Sequence, residues 1–182
     1  VDFPAEEKET LLSLIQAVHE VEGIERIRLG SLEPGIITEE FVKNLSEIPE
    51  VCPHFHLSLQ SGCDRTLRAM NRHYTTAEYA DLAARIRRIF PDAALTTDVM
   101  VGFPGETEEE FAETIAFCQE IGFAKLHVFP FSPREGTPAA VMEGQVPETV
   151  KAERVRRLIA VGDELARQYR EPFVGKVVPV LL

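Results

Sequence analysis

Apolar positions along this chain switch repeatedly between the helical period of about 3.6 residues and the strand period of two. A first helical pattern covers about residues 6–21, with Leu11, Leu14, Ile15, Val18 and Val21 as its stripe. Arg26-Ile-Arg-Leu-Gly-Ser31 predicts a strand, and Thr38 caps a short helix of Phe41, Val42 and Leu45 that stops before Pro49. His54-Phe-His-Leu-Ser-Leu-Gln60 alternates without exception and predicts a second strand. A Thr75-x-x-Glu78 capping box opens the next helix, which buries Tyr79, Leu82, Ala83, Ile86 and Ile89. The third strand, Ala94 to Val101, runs through Gly102-Phe-Pro-Gly105 into a helix begun by Thr107-x-x-Glu110, with Phe111, Ile115 and Cys118 inward. Leu126 to Phe131 is the fourth strand.

Strands alternating with helices require parallel pairing, in an open sheet or a barrel. A parallel sheet covered on both faces has almost wholly apolar strands, yet one face of each strand here is polar, which favours a barrel. Phe55, Leu57 and Leu59 oppose His56, Ser58 and Gln60; Leu95, Val99 and Val101 oppose Thr96 and Asp98; Leu126 and Val128 oppose His127. With the apolar faces on the helices, Arg28, His56, Ser58, Gln60, Asp98 and His127 line a common lumen. Parallel α/β folds place their chemistry at the carboxyl ends of the strands. Those ends read Ser31-Leu-Glu-Pro34, Gln60-Ser-Gly62, Val101-Gly-Phe-Pro-Gly-Glu106 and Phe131-Ser-Pro133. Gly102 and Gly105 leave room for a ligand near the backbone, but Glu106, Glu108, Glu109 and Glu110 crowd the following helix start. A neutral or zwitterionic ligand suits that end better than a phosphate. There is no G-x-G-x-x-G and no P-loop.

The 182 residues, 45% hydrophobic and 27% charged, fit a globular protein with one sizeable core. No signal peptide or membrane-spanning run is evident, so a cytoplasmic protein without a membrane partner is expected. Cys52, Cys63 and Cys118 are too widely spaced for a disulfide framework or a compact metal site. The net charge of −11 opposes nonspecific attraction to nucleic acid over the whole surface, although residues 65–88 hold six Arg against two acids. Lys151 to Arg170 form a second basic stretch; the plain expectation for both is solvated helix faces. Val1 at the start and the apolar run Lys176 to Leu182 at the end predict a piece of a longer protein.

Arg28-Leu-Gly-Ser-Leu-Glu-Pro34, His56-Leu-Ser-Leu-Gln-Ser-Gly62, Met70-Asn-Arg72, Thr97-Asp-Val-Met-Val-Gly-Phe-Pro-Gly-Glu-Thr107, His127-Val-Phe-Pro-Phe-Ser132 and Gly136-Thr-Pro138 together resemble the radical S-adenosylmethionine methylthiotransferases. The resemblance covers nearly the whole chain, in order. Ser31-Leu-Glu-Pro34 and the His127 stretch look most like the subgroup that methylthiolates threonylcarbamoyladenosine in tRNA. It implies a partial TIM-type (βα) barrel in which this α/β chain supplies parallel strands three to six. Residues 1–174 would be the partial barrel, and 175–182 the first strand of a truncated, TRAM-like C-terminal β domain that binds RNA. Lys151 to Arg170, with Val155, Leu158, Ile159, Leu165 and Tyr169 inward, would be the helix that closes the barrel.

The resemblance further implies two cofactors, S-adenosylmethionine and 4Fe-4S clusters, with tRNA and the missing N-terminal portion of the chain as partners. The family's C-x3-C-x2-C loop, whose thiolates hold the cluster, is absent from this sequence. Cys52 and Cys63 bracket a strand, roughly 20 Å apart at about 3.3 Å per residue, and cannot replace it. By itself the chain is expected to be inactive and to bind no metal. By resemblance, Ser31 and Glu33 would reach the amino acid or ribose groups of S-adenosylmethionine, and Gln60 and Ser61 its ribose. The Val101-Gly102 backbone and Phe131 would face its adenine, with Asp98 also in the cofactor site. A noncatalytic α/β scaffold and another radical enzyme, such as one acting on porphyrins, remain open alternatives.

Overall fold

A computed structural model describes residues 10–178 of the chain. In order they form α1 (Leu11–His19), β1 (Ile27–Leu32), α2 (Glu39–Ser46), β2 (Val51–Leu57), α3 (Asp64–Ala69), α4 (Thr76–Ile89), β3 (Ala94–Val101), α5 (Glu108–Ile121), β4 (Lys125–Pro130) and α6 (Glu148–Arg170). The four strands make one parallel sheet in the order β1-β2-β3-β4, so each crossover returns the chain beside the strand it has just left.

Local chemistry explains the helix boundaries. Thr75 and Thr107 each accept from the backbone N–H three residues on, and Glu78 and Glu110 return the bond to the cap. At the other end of α5, Gly122 takes the left-handed conformation (φ 67°) that commonly closes a helix. The short α3 lacks the length to show a stripe, and Asn71 (φ 57°) separates it from α4.

One face of the sheet carries the core. Phe55, Leu57, Leu95, Val99 and Val101 meet Tyr79, Leu82, Ile86, Phe111, Cys118 and Leu158 from the covering helices. The other face is polar and open: Arg28, Ser31, His54, His56, Thr96, Asp98 and His127 line a cleft of about 490 Å³. The alternation predicted this two-sided sheet, and four consecutive parallel strands with one helix-covered and one polar face are consistent with a section of a TIM-type barrel.

Four expectations need correction. On α1 only Ile15 is buried, while Leu14 and Val21 lie 59% and 54% exposed, because α1 touches little beyond α2 at the end of the helical layer. Residues 6–9 of that predicted helix lie outside the described residues. The second strand begins at Val51 and stops at Leu57, three residues before the alternation ends. The backbone of Gln60 then turns left-handed (φ 70°) and meets β3 again as an isolated bridge to Val99.

On α6, Ile159 is 44% exposed, whereas Lys151 and Arg154 are buried beside Leu158 and Leu165. The reason is Gly162: a Cβ there would lie 3.2 Å from Leu126, so the helix presses closely on β4 with positions 151, 154, 158, 162 and 165 inward. Residues 176–178 are not in a strand, and 179–182 of the predicted β segment lie outside the described residues. No helix among the described residues is long and apolar enough to cross a membrane.

Candidate functional site

The carboxyl ends of the strands gather the predicted residues into two groups. Ser31 and Asp98 share the polar cleft, with Gln60 beside them. Ser31 is exposed and holds φ 52°, so β1 ends on a strained backbone that turns a hydroxyl toward solvent. Gln60 is clasped by β3: its N–H donates to the Asp98 carbonyl and its carbonyl accepts from the Met100 N–H, both at 2.9 Å. Its side-chain amide makes no hydrogen bond among the described residues. Glu33 is exposed, its nearest cation being Arg72 at 3.8 Å.

The second group lies at the ends of β3 and β4. The Phe131 N–H donates to the Val101 carbonyl at 2.8 Å, which ties the end of β4 to the end of β3. Phe131 packs edge-on against Phe103, with ring centroids 5.3 Å apart. The Val101 side chain is fully buried, and the Gly102 N–H is taken by the Glu106 carboxylate at 2.6 Å. Ser61 stands apart. Its hydroxyl faces Thr114 of α5 at 3.3 Å and accepts from the Cys63 N–H, so it shapes the loop from beneath.

The floor of the cleft is a chain of polar contacts across three strands. The Arg28 Nε donates to His54 Nδ1 at 3.1 Å; Thr96 Oγ1 lies 3.3 Å from His54 and 3.0 Å from His56; and His56 Nε2 lies 3.4 Å from Asp98. His127 packs against His56 with centroids 5.6 Å apart. Burial, and then the adjacent Arg28 charge, push the His54 pKa below its ordinary value. The sequence lumen omitted His54, although it occupies the same face as His56 by the period of two.

The acids after Gly105 are not a bare negative cluster. Arg154 pairs with Glu106, Arg157 with Glu108, and Arg65 with Glu110, so of these four acids only Glu109 has no ion-pair partner among the described residues. Burial raises the Glu106 pKa, opposed by the Gly102 N–H and Arg154. The expected repulsion of an anion at this helix start is therefore largely cancelled, by cations that the sequence pattern assigned to solvent.

A polar cleft inside four parallel strands, with ligand groups at their carboxyl ends, is the architecture of barrel enzymes. The family model described as the radical SAM superfamily matches residues 3–118, and the chain belongs to that superfamily. Within it, the sequence is 47% identical over 161 residues to threonylcarbamoyladenosine tRNA methylthiotransferase MtaB of Bacillus subtilis, covering 88% of this chain and 36% of the relative. It is 43% identical over 176 residues to the tRNA-2-methylthio-N(6)-dimethylallyladenosine synthase of Thermobifida fusca, covering 97% of this chain and again 36% of the relative. The chain thus spans little more than a third of the length of these curated relatives. Among solved structures, the radical SAM enzyme coproporphyrinogen III oxidase (HemN) of Escherichia coli matches at a TM-score of 0.64 and 20% identity, over 77% of this chain and 32% of that one. That likeness speaks for the fold.

The superfamily implies S-adenosylmethionine and a 4Fe-4S cluster, and the residues present fit only the first. An exposed hydroxyl at Ser31 and a carboxylate at Glu33 suit a zwitterionic nucleoside, and Gln60 and Phe131, 8% and 6% exposed beside the cleft, add an unpaired amide and an aromatic ring. The cysteines do not suit a cluster. Cys118 is sealed in the core, where burial pushes its pKa up to about 12, and Cys63 is buried at the start of α3. Among the described residues no three His, Cys, Asp or Glu side chains gather as a metal site.

Proposed function

We propose that this chain is the cofactor-holding part of the catalytic barrel of a radical enzyme that adds a methylthio group to threonylcarbamoyladenosine in tRNA. The observation that carries it is the polar cleft lined by Ser31 and Asp98, with the Gln60 backbone bonded to Asp98 beside it, in a chain 47% identical to the Bacillus methylthiotransferase that acts on that nucleoside. S-adenosylmethionine supplies the radical precursor in such chemistry. The residues of this chain bind and orient it: Ser31 and Glu33 toward its amino acid or ribose, Gln60 toward its ribose, and Phe131 with the Gly102 backbone toward its adenine. Ser61 supports Gln60 from below, and Asp98 holds His56 at the cleft floor.

Residues 1–174 are the barrel portion under this reading, and 175–182 lead into the RNA-binding β domain. Residues 1–182 alone do not carry the reaction, because their three cysteines are not arranged to hold a cluster. A second substrate is favoured by the Thermobifida relative, whose name places its methylthio group on dimethylallyladenosine.

The test is nucleoside mass spectrometry of tRNA from cells in which the full-length gene is deleted and then restored. Loss and return of the methylthio group on threonylcarbamoyladenosine is the expected result. The same change on dimethylallyladenosine selects the second substrate, and no change in either nucleoside rejects the methylthiotransferase reading.

A further inference from the structure

Lys151 and Arg154 are the two most deeply buried cations among the described residues, at 2% and 4% exposure, and they stand one turn apart on α6. Neither pairs with the other's partner. Lys151 donates to Glu148 Oε1 at 2.7 Å and to the Phe131 carbonyl at 3.0 Å, and its ammonium lies 5.4 Å from the centre of the Phe131 ring. Its stem fills the space beside Gly102, where a Cβ would come within 2.5 Å of Lys151 Cγ. Arg154 binds Glu106 Oε2 at 2.7 Å and the Glu106 carbonyl at 3.2 Å, and that same Oε2 accepts the Gly102 N–H. The Arg154 Nε has no hydrogen-bond partner among the described residues; Glu108 stands 3.5 Å away.

Desolvating a cation is costly, and apolar residues at these positions would pack α6 against β4 as well. The contacts show what the cations supply instead: besides its ion pair with Glu148, Lys151 holds the backbone just after β4, and Arg154, through the Glu106 carboxylate, holds the Gly102 N–H just after β3. Gly102 holds φ +72°, one of several conformations open without strain to glycine, so nothing in the residue itself fixes the turn there.

We infer that Lys151 and Arg154 are positioning residues that fix the two walls of the adenine subsite, Phe131 directly and Gly102 through Glu106. The inference rests on the cofactor placement proposed above. Walls held before the ligand arrives spare it the cost of ordering the loop, so affinity for the adenine end depends on α6 although α6 does not touch the ligand.

The experiment uses the full-length protein with its cluster reconstituted anaerobically, as wild type, Lys151→Met, Arg154→Met and Arg154→Lys. Equilibrium titrations with S-adenosylmethionine and with methionine alone are combined with hydrogen exchange of the 102–107 amides. Each Met variant should weaken S-adenosylmethionine binding about tenfold or more, leave methionine binding unchanged and, for Arg154→Met, speed exchange at Gly102. Arg154→Lys should recover part of the affinity. Unchanged S-adenosylmethionine affinity, or equal weakening of both ligands, overturns the inference. Should Arg154→Met fail to fold, Lys151→Met decides alone, since it leaves the Glu106 pair intact. A wild type that binds methionine but not S-adenosylmethionine overturns the cofactor placement itself.

Discussion

The Leu59 N–H donates to the Thr97 hydroxyl at 3.0 Å, and that hydroxyl donates onward to the Leu57 carbonyl at 2.5 Å. One buried side chain of β3 thus satisfies the last carbonyl of β2 and the N–H of Leu59 just beyond the strand, before the left-handed turn at Gln60. The Leu57 carbonyl has a second donor in the Tyr79 hydroxyl at 3.1 Å, but the Leu59 N–H has no other.

Thr97→Val should therefore cost about 2–3 kcal/mol, chiefly from the orphaned Leu59 N–H. Thr97→Ser keeps the hydroxyl and should cost only about 1 kcal/mol, for the lost methyl. Urea unfolding of both variants checks this. Equal losses would mean that the hydroxyl contributes no more than the methyl, and the bond to Leu59 would not be what holds the end of β2.

His54 makes stability depend on pH. Its folded pKa lies below the ordinary 6.5, so between the two values the unfolded chain binds more protons than the folded one. The contribution is fully present above about pH 6.5 and is lost as pH falls through the folded pKa. His54→Gln should flatten that part of the curve of unfolding free energy against pH. An unchanged slope would assign the dependence to another group.

Glycines on the two sides of the sheet should respond oppositely to a methyl group. A Cβ at Gly62 would lie 2.8 Å from both the Thr114 Cα and the Phe117 Cβ of α5, and a helix backbone cannot step aside. At Gly30, on the open face, nothing lies within 4 Å. Gly62→Ala should lower stability by about 2–3 kcal/mol and Gly30→Ala by less than about 0.5 kcal/mol, measured by thermal melting.

Thiol reactivity should divide the three cysteines. Cys52 is partly exposed on β2, whereas Cys63 is buried and Cys118 is sealed with its pKa raised to about 12. An aromatic disulfide reagent at neutral pH should modify Cys52 promptly and the other two only when the chain unfolds. Rapid modification of Cys118 in the native protein would show that α5 opens locally.

Alternation and caps carried most of the fold in the primary structure. Phe55, Leu57 and Leu59 against His56, Ser58 and Gln60 announce a strand with one buried and one polar face, because successive side chains must point oppositely. Thr75 with Glu78 and Thr107 with Glu110 mark two helix starts to the residue, since both halves of each box lie within one turn. The motifs at the strand ends likewise located Ser31, Glu33, Gln60, Gly102 and Phe131 at one end of the sheet.

The burial of Lys151 and Arg154 was not legible in this way. In a helical pattern a cation is placed in solvent, and Glu148, three residues before Lys151 and itself exposed, gives no reason to bury it; the contacts that go with burial lie far off in the chain, with Phe131 20 residues before Lys151 and Glu106 48 before Arg154. Ile159 was misplaced for the same reason: the rotation of α6 is set by the close approach of Gly162 to Leu126, a contact between elements. The left-handed turn at Gln60 and the inward hydroxyl of Ser61 follow from bonds to β3 and α5. Sequence by itself determined the elements other than the short α3, the two faces of each strand and the family, because these depend on spacing within a turn or a strand. Tertiary structure alone decided which charges are neutralised and which loop groups remain free for a ligand, because those depend on residues that only folding brings within hydrogen-bonding distance.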